Sequence, residues 1–396
     1  MFDLAGDRAY MGSQFGAQLI TIGNIASTTN PFTSLGKVTG NLLAVSANGS
    51  SAIFSDTVHS PNQVYVINAA TTTPISAFNI TGATAASFST DNLKAFIIAN
   101  GGNSIYVYST LQALQNLANP PTSLPPGSGS ANLIARSPNG AFVYIAGSPT
   151  SGPVTGPALT TLNVCDNQIA THTDPNTLAV TEQVIPLGTT PLFLTAIPNP
   201  HMDGFGVVTF PSPTTPPAQP FPDGMHLIAL DNTGLNVITA IDTELSFSLK
   251  NLPPQGFCRQ DVTHTVQHVD LHVGTFNPVA FFVSPDASQA YIVASDRPSI
   301  LVYNFSTGAV SGIELVGNAT PVVPLNPLQT AAGLSTDETL LYVAGSDGLL
   351  HQVSTTSAVD LTQIAFPNLP SLPNPFCSLS PASGQPCKLD LVAVRP

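Results

Sequence analysis

The feature that most constrains the fold is a recurring unit of strand, turn and strand. Its clearest copy is Phe281–Gly308, FFVSPDASQAYIVASDRPSILVYNFSTG. A short apolar strand ends at a Pro-Asp turn, an alternating strand follows, and a third strand comes after a polar loop. Apolar alternation with period two, broken by turn-forming residues, is typical of β-strands. This stretch therefore predicts three consecutive antiparallel strands.

The same unit recurs along the chain. The second strands of successive copies have centres that lie 43, 43, 48, 63, 84 and 51 residues apart. The centres are Tyr10, Ile53, Phe96, Tyr144, Val207, Tyr291 and Tyr342. A unit of this length with four short strands is typical of a β-propeller blade. We therefore predict an all-β, seven-bladed β-propeller of four-stranded blades, formed by a single domain over residues 1–396.

The 84-residue gap raises the alternative of an eighth blade. Leu227–Ala240 aligns with a first and second strand, and equally well with a third strand and its turn. Only 31 residues separate Val207 from Ile238, and a Pro-rich loop occupies much of that length. Four strands do not fit there, so we favour seven blades with an insertion at Thr243–Val273.

The two ends of the chain are incomplete in complementary ways. The first unit begins at its second strand, and the last unit is followed by an extra apolar strand, Leu389–Arg395, which resembles Leu42–Ser46. A C-terminal strand that joins the N-terminal blade would remove two open edges. We therefore expect Leu389–Arg395 to be the inner strand of the first blade. The alternative is that this strand begins a following module.

Three copies of the unit resemble a known repeat family. They are SPNGAFVYIAG at 137–147, SPDASQAYIVAS at 284–295 and TDETLLYVAGS at 336–346. These motifs resemble those of YVTN-type seven-bladed propellers of secreted and surface-layer proteins, and the likeness covers essentially the whole chain. The blade pattern is also similar to that of lactonase-type propellers. The resemblance implies the fold; the motif residues form turns and core, so they indicate little about function.

The charge balance excludes several partners. Nine Lys and Arg face 22 Asp and Glu, which gives a net charge of −13 with only 8% charged residues. Nucleic-acid binding requires basic residues that neutralise phosphates, so we expect none. No run of about 18 apolar residues predicts a membrane-spanning helix. Residues 1–10 lack a signal-peptide pattern, so export would require a signal outside the numbered chain.

The cysteines favour an oxidising compartment. Cys165, Cys258, Cys377 and Cys387 are widely spaced and form no CxxC motif, which excludes zinc-ribbon and thioredoxin-type sites. Few lysines and many Ser, Thr and Pro residues suit an extracellular or cell-surface protein with two disulfides. Three pairings are possible in principle. Pairing Cys377 with Cys387 closes a small loop in a C-terminal segment at about 367–396 and leaves Cys165 with Cys258.

The most unusual local feature is the histidine-rich stretch DVTHTVQHVDLHV at 261–273. In a strand, alternate residues share a face. The residues on that face are His264, His268, Asp270 and His272. Imidazole and carboxylate groups together suit Zn²⁺, Cu²⁺ or Ni²⁺. His268 and His272 lie about 13 Å apart along a strand, so a site would need one of them with Asp270 and a ligand from elsewhere, such as His172 or His226. The alternative is a polar strand with exposed or hydrogen-bonded histidines.

Two further sets of residues suggest chemistry. Aspartates in turns could bind Ca²⁺, but none shows a dense DxDxDG spacing, so we favour a turn-forming role. They are Asp56, Asp91, Asp231, Asp286 and Asp337. Arg136 ends an inner strand where other copies carry apolar residues, so it is the candidate catalytic residue at the mouth of a propeller channel. The alternative for Arg136 is a solvated or salt-bridged side chain. No GxSxG or HExxH motif occurs.

These observations favour a non-catalytic extracellular or cell-surface propeller that acts through protein contacts. Few charges and several sheet edges leave it open to self-assembly, as in a surface-layer or fibre subunit. The alternative is a secreted lactonase-like or metal-dependent hydrolase, with Ca²⁺ or Zn²⁺ as its metal and its site at the channel mouth.

Overall fold

A computed structural model describes residues 1–394 with gaps. The residues it leaves out are 4–5, 15, 22–31, 57–58, 60–61, 69–72, 110–121, 125–129, 138–139, 151–153, 175, 198–224, 243–261, 285–287, 325–329, 366–391 and 395–396. Contacts divide the chain into two compact units. Unit 1 comprises residues 1–231 and 235–269, and unit 2 comprises residues 232–234 and 270–395.

The strands of unit 1 form five antiparallel sheets and a hairpin. The first sheet contains β1 (Arg8–Met11), β2 (Gln18–Thr21) and β3 (Phe32–Ser34). The second contains β4 (Asn41–Val45), β5 (Ser51–Asp56), β6 (Gln63–Asn68) and β7 (Thr73–Phe78). The third contains β8 (Ala85–Phe88), β9 (Lys94–Ala99), β10 (Ser104–Ser109) and β11 (Thr122–Leu124).

In the fourth sheet, the hairpin lies between the third and fourth strands in the sequence. This sheet contains β12 (Leu133–Arg136), β13 (Phe142–Gly147), β14 (Ala158–Asn163) and, beyond the hairpin of β15 (Thr171–Thr173) and β16 (Val180–Glu182), β17 (Val184–Pro186). The fifth sheet contains β18 (Phe193–Ile197), β19 (Met225–Leu230), β20 (Gly234–Asp242) and β21 (Val262–Asp270). In both sheets the strands pair in chain order.

Unit 2 contains two sheets of the same kind. The sixth sheet consists of β22 (Pro278–Val283), β23 (Gln289–Ala294), β24 (Ser299–Asn304) and β25 (Val310–Glu314). The seventh consists of β26 (Ala332–Leu334), β27 (Leu340–Ala344), β28 (Leu349–Ser354) and β29 (Val359–Ala365). Seven sheets of blade topology and almost no helix in the described residues confirm the predicted all-β, seven-bladed propeller class. The single-domain prediction stays a prediction.

The core consists of apolar clusters, and each cluster draws its residues from neighbouring sheets. In unit 1, one cluster joins the first and second sheets, another the third and fourth, and another the fourth and fifth. In unit 2, one cluster joins the sixth and seventh sheets. Tyr144 and Phe54 are fully buried, and burial of each such side chain is worth roughly 1.5–3 kcal/mol. The alternating faces of these strands therefore stabilise sheet-on-sheet packing.

The turn between the first and second strands is built in the same way in five sheets. A buried or half-buried serine Oγ accepts the amide of the residue five positions later at 2.9–3.0 Å. The serines are Ser46, Ser89, Ser137, Ser284 and Ser335. In the first sheet Asp3 takes this place and accepts the Arg8 amide at 3.2 Å. These turns belong to the motifs that carry the family resemblance, so the motif residues have a structural role.

The fifth sheet differs from the prediction. Val207, its predicted centre, lies outside the described residues. The second strand is β19. Leu227–Ala240 covers most of the second strand and the third strand, so it is neither a first and second strand nor a third strand with its turn. The described part of the predicted insertion, Thr243–Val273, contains the outermost strand β21. The stretch around Val207 and β19 have a similar apolar pattern, so the sequence alone does not indicate which of them is the second strand.

The predicted closing strand lies only partly within the described residues, which include residues 392–394 of Leu389–Arg395. In unit 1, Phe2 forms a bridge with Ala9 and so occupies the inner edge of β1. In unit 2, the Val392 amide donates to the Thr330 carbonyl at 3.1 Å, just before β26. A Cβ atom on Gly333 would lie 2.6 Å from Val394, so this glycine admits the tail against β26. The described residues 392–394 therefore lie beside β26, and pairing of Leu389–Arg395 with the first blade stays a prediction.

Candidate functional site

The histidine strand β21 was the leading site candidate, and its first histidine is part of the packing between sheets. The Nδ1 of His264 lies 3.0 Å from Gln183 Oε1, and its Nε2 lies 3.4 Å from Thr161 Oγ1. Its ring packs edge-on against Tyr144 at 5.8 Å between centroids. Burial lowers the pKa of His264 to about 3, so the ring is neutral at neutral pH.

The other members of the predicted set contact different residues from those that His264 contacts. His268 Nδ1 is 3.1 Å from Asn236 Oδ1 on β20. Asp270 accepts the His272 amide at 2.7 Å, and His272 Nδ1 lies 3.4 Å from the same carboxylate. Both of these side chains are exposed. Within the described residues no group of three or more His, Cys, Asp or Glu side chains is placed to hold a metal ion, so the zinc site stays a prediction.

Arg136 has a structural contact. Its guanidinium donates to the Phe88 carbonyl at 3.5 Å, which links the inner strands of the third and fourth sheets. The first and second sheets are linked in a related way, since the Tyr10 hydroxyl donates to the Gly49 carbonyl at 2.7 Å. Burial raises the pKa of that phenol to about 12. Arg136 thus resembles other links between sheets, and its catalytic role stays a prediction.

The aspartates in turns have the contacts of turn formers. Asp91 accepts Ser89 Oγ at 2.5 Å and the Leu93 amide at 2.9 Å. Asp337 accepts Ser335 Oγ at 2.6 Å, and its hydrogen bonds from Ser335 and Thr339 lower its pKa. These bonds favour the turn-forming interpretation over Ca²⁺ binding.

The second and fifth sheets use aspartate in another place. Asp56 accepts Thr39 Oγ1 at 2.5 Å, and Asp231 accepts Thr189 Oγ1. Each threonine lies just before the first strand of its sheet, and each aspartate lies at the end of the second strand. The pair therefore ties the entry of the chain to the turn between the second and third strands. Asp286 lies outside the described residues.

Three of the four cysteines lie outside the described residues. The exception is Cys165, which lies within them. The pairing of Cys165 with Cys258 therefore stays a prediction.

Among the described residues, no helix has the length and apolar character that a membrane crossing would need.

A buried polar cluster in the seventh sheet was missed by the sequence analysis. His351 on β28 is fully buried, and its Nδ1 donates to Asp360 Oδ2 on β29 at 2.6 Å. The Val316 amide donates to the same oxygen at 2.9 Å. The His351 Nε2 lies 3.3 Å from Asp347. The available signal was an aspartate inside an otherwise uncharged strand, which is costly to bury without a partner.

The outer edges of the sheets form the other candidate site. Of the seven outermost strands, β3 and β11 have three residues each. Strands β7 and β17 contain Pro74 and Pro186, and β25 carries the exposed Glu314. These are devices that protect an edge from pairing with another chain. By contrast, β21 has nine residues and contains no Pro, Lys, Arg or Glu.

Comparison with known proteins adds little to these findings. No family model matches the chain, and no curated protein matches it. Among solved structures, the chain is similar to "Kuenenia stuttgartiensis Hydrazine Synthase", with 12% identity over 89% of this chain and 94% of that chain and a TM-score of 0.49. At this identity and score the likeness supports no functional argument. The YVTN-type or lactonase-like assignment stays a prediction.

Proposed function

We propose that this chain is a non-catalytic extracellular or cell-surface scaffold that acts through protein contacts and associates with itself. The observation that carries the proposal is the long, unprotected outer edge of β21. Within the described part of the chain, no strand pairs with the outer edge of β21. Strand addition to such an edge is a common mode of protein recognition.

The side chains of β21 suit this role. Its central residues 265–268 are exposed, and Val266 is the large apolar side chain among them, at 38% exposure. No side chain in β21 before its last residue, Asp270, is an acid, so a second copy would not meet a like charge along the strand. His264 and Val262 anchor the beginning of the strand by packing into the sheet interior. The edge is therefore held in place, and before Asp270 it carries no Asp, Glu, Lys or Arg.

The composition supports self-association in particular. A net charge of −13 is carried by few residues, and only 9 of the 396 residues are Lys or Arg. Exposed lysines are the residues that most often prevent contacts between edges. The hydrolase alternative has no comparable support, because the described contacts of Arg136 and His264 are with neighbouring sheets.

The test is the mass of the protein in solution as its concentration rises, measured by light scattering. We expect concentration-dependent association, which Val266→Lys weakens by placing a charge on the edge. Val323→Lys is the matched control, since Val323 is 67% exposed and lies outside the strands. Wild-type protein that stays monomeric up to millimolar concentration would refute self-association. Equal weakening by both substitutions would refute the assignment to β21.

A further inference from the structure

The outer strand of unit 2, β29, has an apolar exposed side and an internal charge. Val359 and Leu361 are 50% and 52% exposed. No strand in the described residues pairs with its outer edge. In β21 the acid is the exposed last residue, Asp270. In β29 the acid lies within the strand, and Asp360 points inward with only 6% exposure. Inward charges and bulges are two ways in which natural sheets protect an edge.

A bulge lies beside this aspartate. Gln352 of β28 is opposite Thr362, whereas the next residue, Val353, is opposite Asp360. Leu361 is therefore the extra residue of the bulge. A shift by one residue would turn Asp360 outward and move the exposed apolar residues toward the core, because side chains alternate along a strand. Some interaction must select the bulged register.

The buried cluster supplies such an interaction. Asp360 Oδ2 accepts from both His351 Nδ1, at 2.6 Å, and the Val316 amide, at 2.9 Å. Val316 begins a 3₁₀ turn that follows β25 of the sixth sheet. The second oxygen, Oδ1, is buried and has no hydrogen-bond partner. Both hydrogen bonds to this carboxylate thus end on one oxygen. Only the bulged register turns the Asp360 side chain toward these two donors, because side chains alternate along a strand.

The histidine is in turn held from its other side. Its Nε2 is 3.3 Å from both carboxylate oxygens of Asp347, which is partly exposed. A Cβ atom on Gly345 would lie 2.6 Å from Nε2, so the chain passes close to the ring. An ionised carboxylate only accepts hydrogen bonds. The ring therefore lies between two carboxylates and holds Asp360 through its Nδ1.

We propose that His351, Asp360 and the Val316 amide form a latch that sets the register of β29 and keeps the outer edge of the seventh sheet closed to strand addition. The latch concerns a different strand from β21 and is independent of the proposed function. Removing the His351 donor leaves the buried Asp360 carboxylate with only the Val316 amide, and the strand is then expected to shift or detach. The expected consequence is a new edge for a second copy of this chain.

Hydrogen exchange on the full chain tests the latch. In the wild type, the Val316 amide should exchange at least about tenfold more slowly than the amide of the exposed Gly317. His351→Leu has a similar volume but no donor, and it should remove the protection of Val316 and of β29. His351→Asn keeps a donor on the side of Asp360 and should retain the protection. Equal exchange of Val316 and Gly317 in the wild type, or full protection in His351→Leu, would overturn the proposal.

Association tests the closed edge. In a Val266→Lys background, which disables β21, His351→Leu should raise the mass in solution and His351→Asn should not. Loss of exchange protection without any rise in mass would overturn edge closure. A rise in mass with His351→Leu, together with no effect of Val266→Lys alone, would support the latch and count against the proposed function of β21.

Discussion

The strongest quantitative prediction concerns acid stability and His264. This ring lies between Gln183 and Thr161 and against Tyr144, and burial lowers its pKa from 6.5 to about 3. Above about pH 6.5 the ring is neutral in both the folded and the unfolded chain, so its contribution to stability is complete there. As the pH falls, the unfolded chain takes up a proton that the folded chain does not. Stability is therefore lost between about pH 6.5 and pH 3.

The size of the effect follows from the shift. Each pH unit in this window costs about 1.4 kcal/mol. Between about pH 7 and pH 4 the loss attributable to His264 is therefore on the order of 3 kcal/mol. That is a large fraction of the 5–15 kcal/mol that is typical of a folded domain.

The assay is urea unfolding at both pH values, followed by tyrosine fluorescence because the chain has no Trp. In His264→Gln the titrating group is absent, so the free energy of unfolding should fall by about 3 kcal/mol less than in the wild type over this range. His272→Gln is the matched control, since the His272 side chain is 85% exposed. The reasoning is refuted if His264→Gln and wild-type protein lose the same stability on acidification.

Two further predictions concern the turns and the cysteines. Ser137→Ala should lower the free energy of unfolding by about 1–3 kcal/mol, because it leaves a buried amide without its acceptor, whereas Ser311→Ala on the exposed face of β25 should change it little. Urea titration measures both, and equal effects would contradict the turn assignment. Mass spectrometry of non-reduced peptides should find Cys165 linked to Cys258, and reduction should cost about 2–4 kcal/mol. A link from Cys165 to either C-terminal cysteine would contradict this pairing.

The parts of the fold that were predicted correctly depend on local interactions. A serine that caps its own turn, as Ser284 does through the Gln289 amide, leaves a sequence pattern that recurs wherever the turn recurs. The strands beside it alternate because one face packs against the next sheet. Strand identity and blade count therefore follow from short stretches of sequence.

The predicted alignment of the fifth sheet was wrong, and the place of the C-terminal tail stays a prediction, because both depend on pairing between distant segments. Nothing local distinguishes the second strand β19 from the stretch around Val207, which has a similar apolar pattern. The position of the C-terminal tail depends on Gly333, whose missing side chain leaves room for Val394. A glycine within a strand predicts a close approach of another backbone but does not indicate which one.

The polar cluster shows a different limit. His351 and Asp360 lie nine residues apart on paired strands, but the bulge at Leu361 alters the register between them. Regular pairing would have placed their side chains elsewhere. The metal site on the histidine strand stays a prediction, and the described contacts show why a shared face is weak evidence for one. Residues at alternate positions share a face, yet His264 contacts Thr161 on β14 whereas His268 contacts Asn236 on β20.

The edges of the sheets connect composition with the proposed function. With nine Lys and Arg residues the chain cannot protect seven outer strands by lysine, and it uses proline and short length instead. Pro74, Pro186 and the three-residue strands cost no charge and need no partner. Two long outer strands remain among the described residues. One is β21, which has no such protection, and the other is β29, which is held by the buried hydrogen bond between His351 and Asp360. This contrast agrees with the two proposals, in which the edge of β21 is always open to pairing and the edge of β29 is kept closed by the latch.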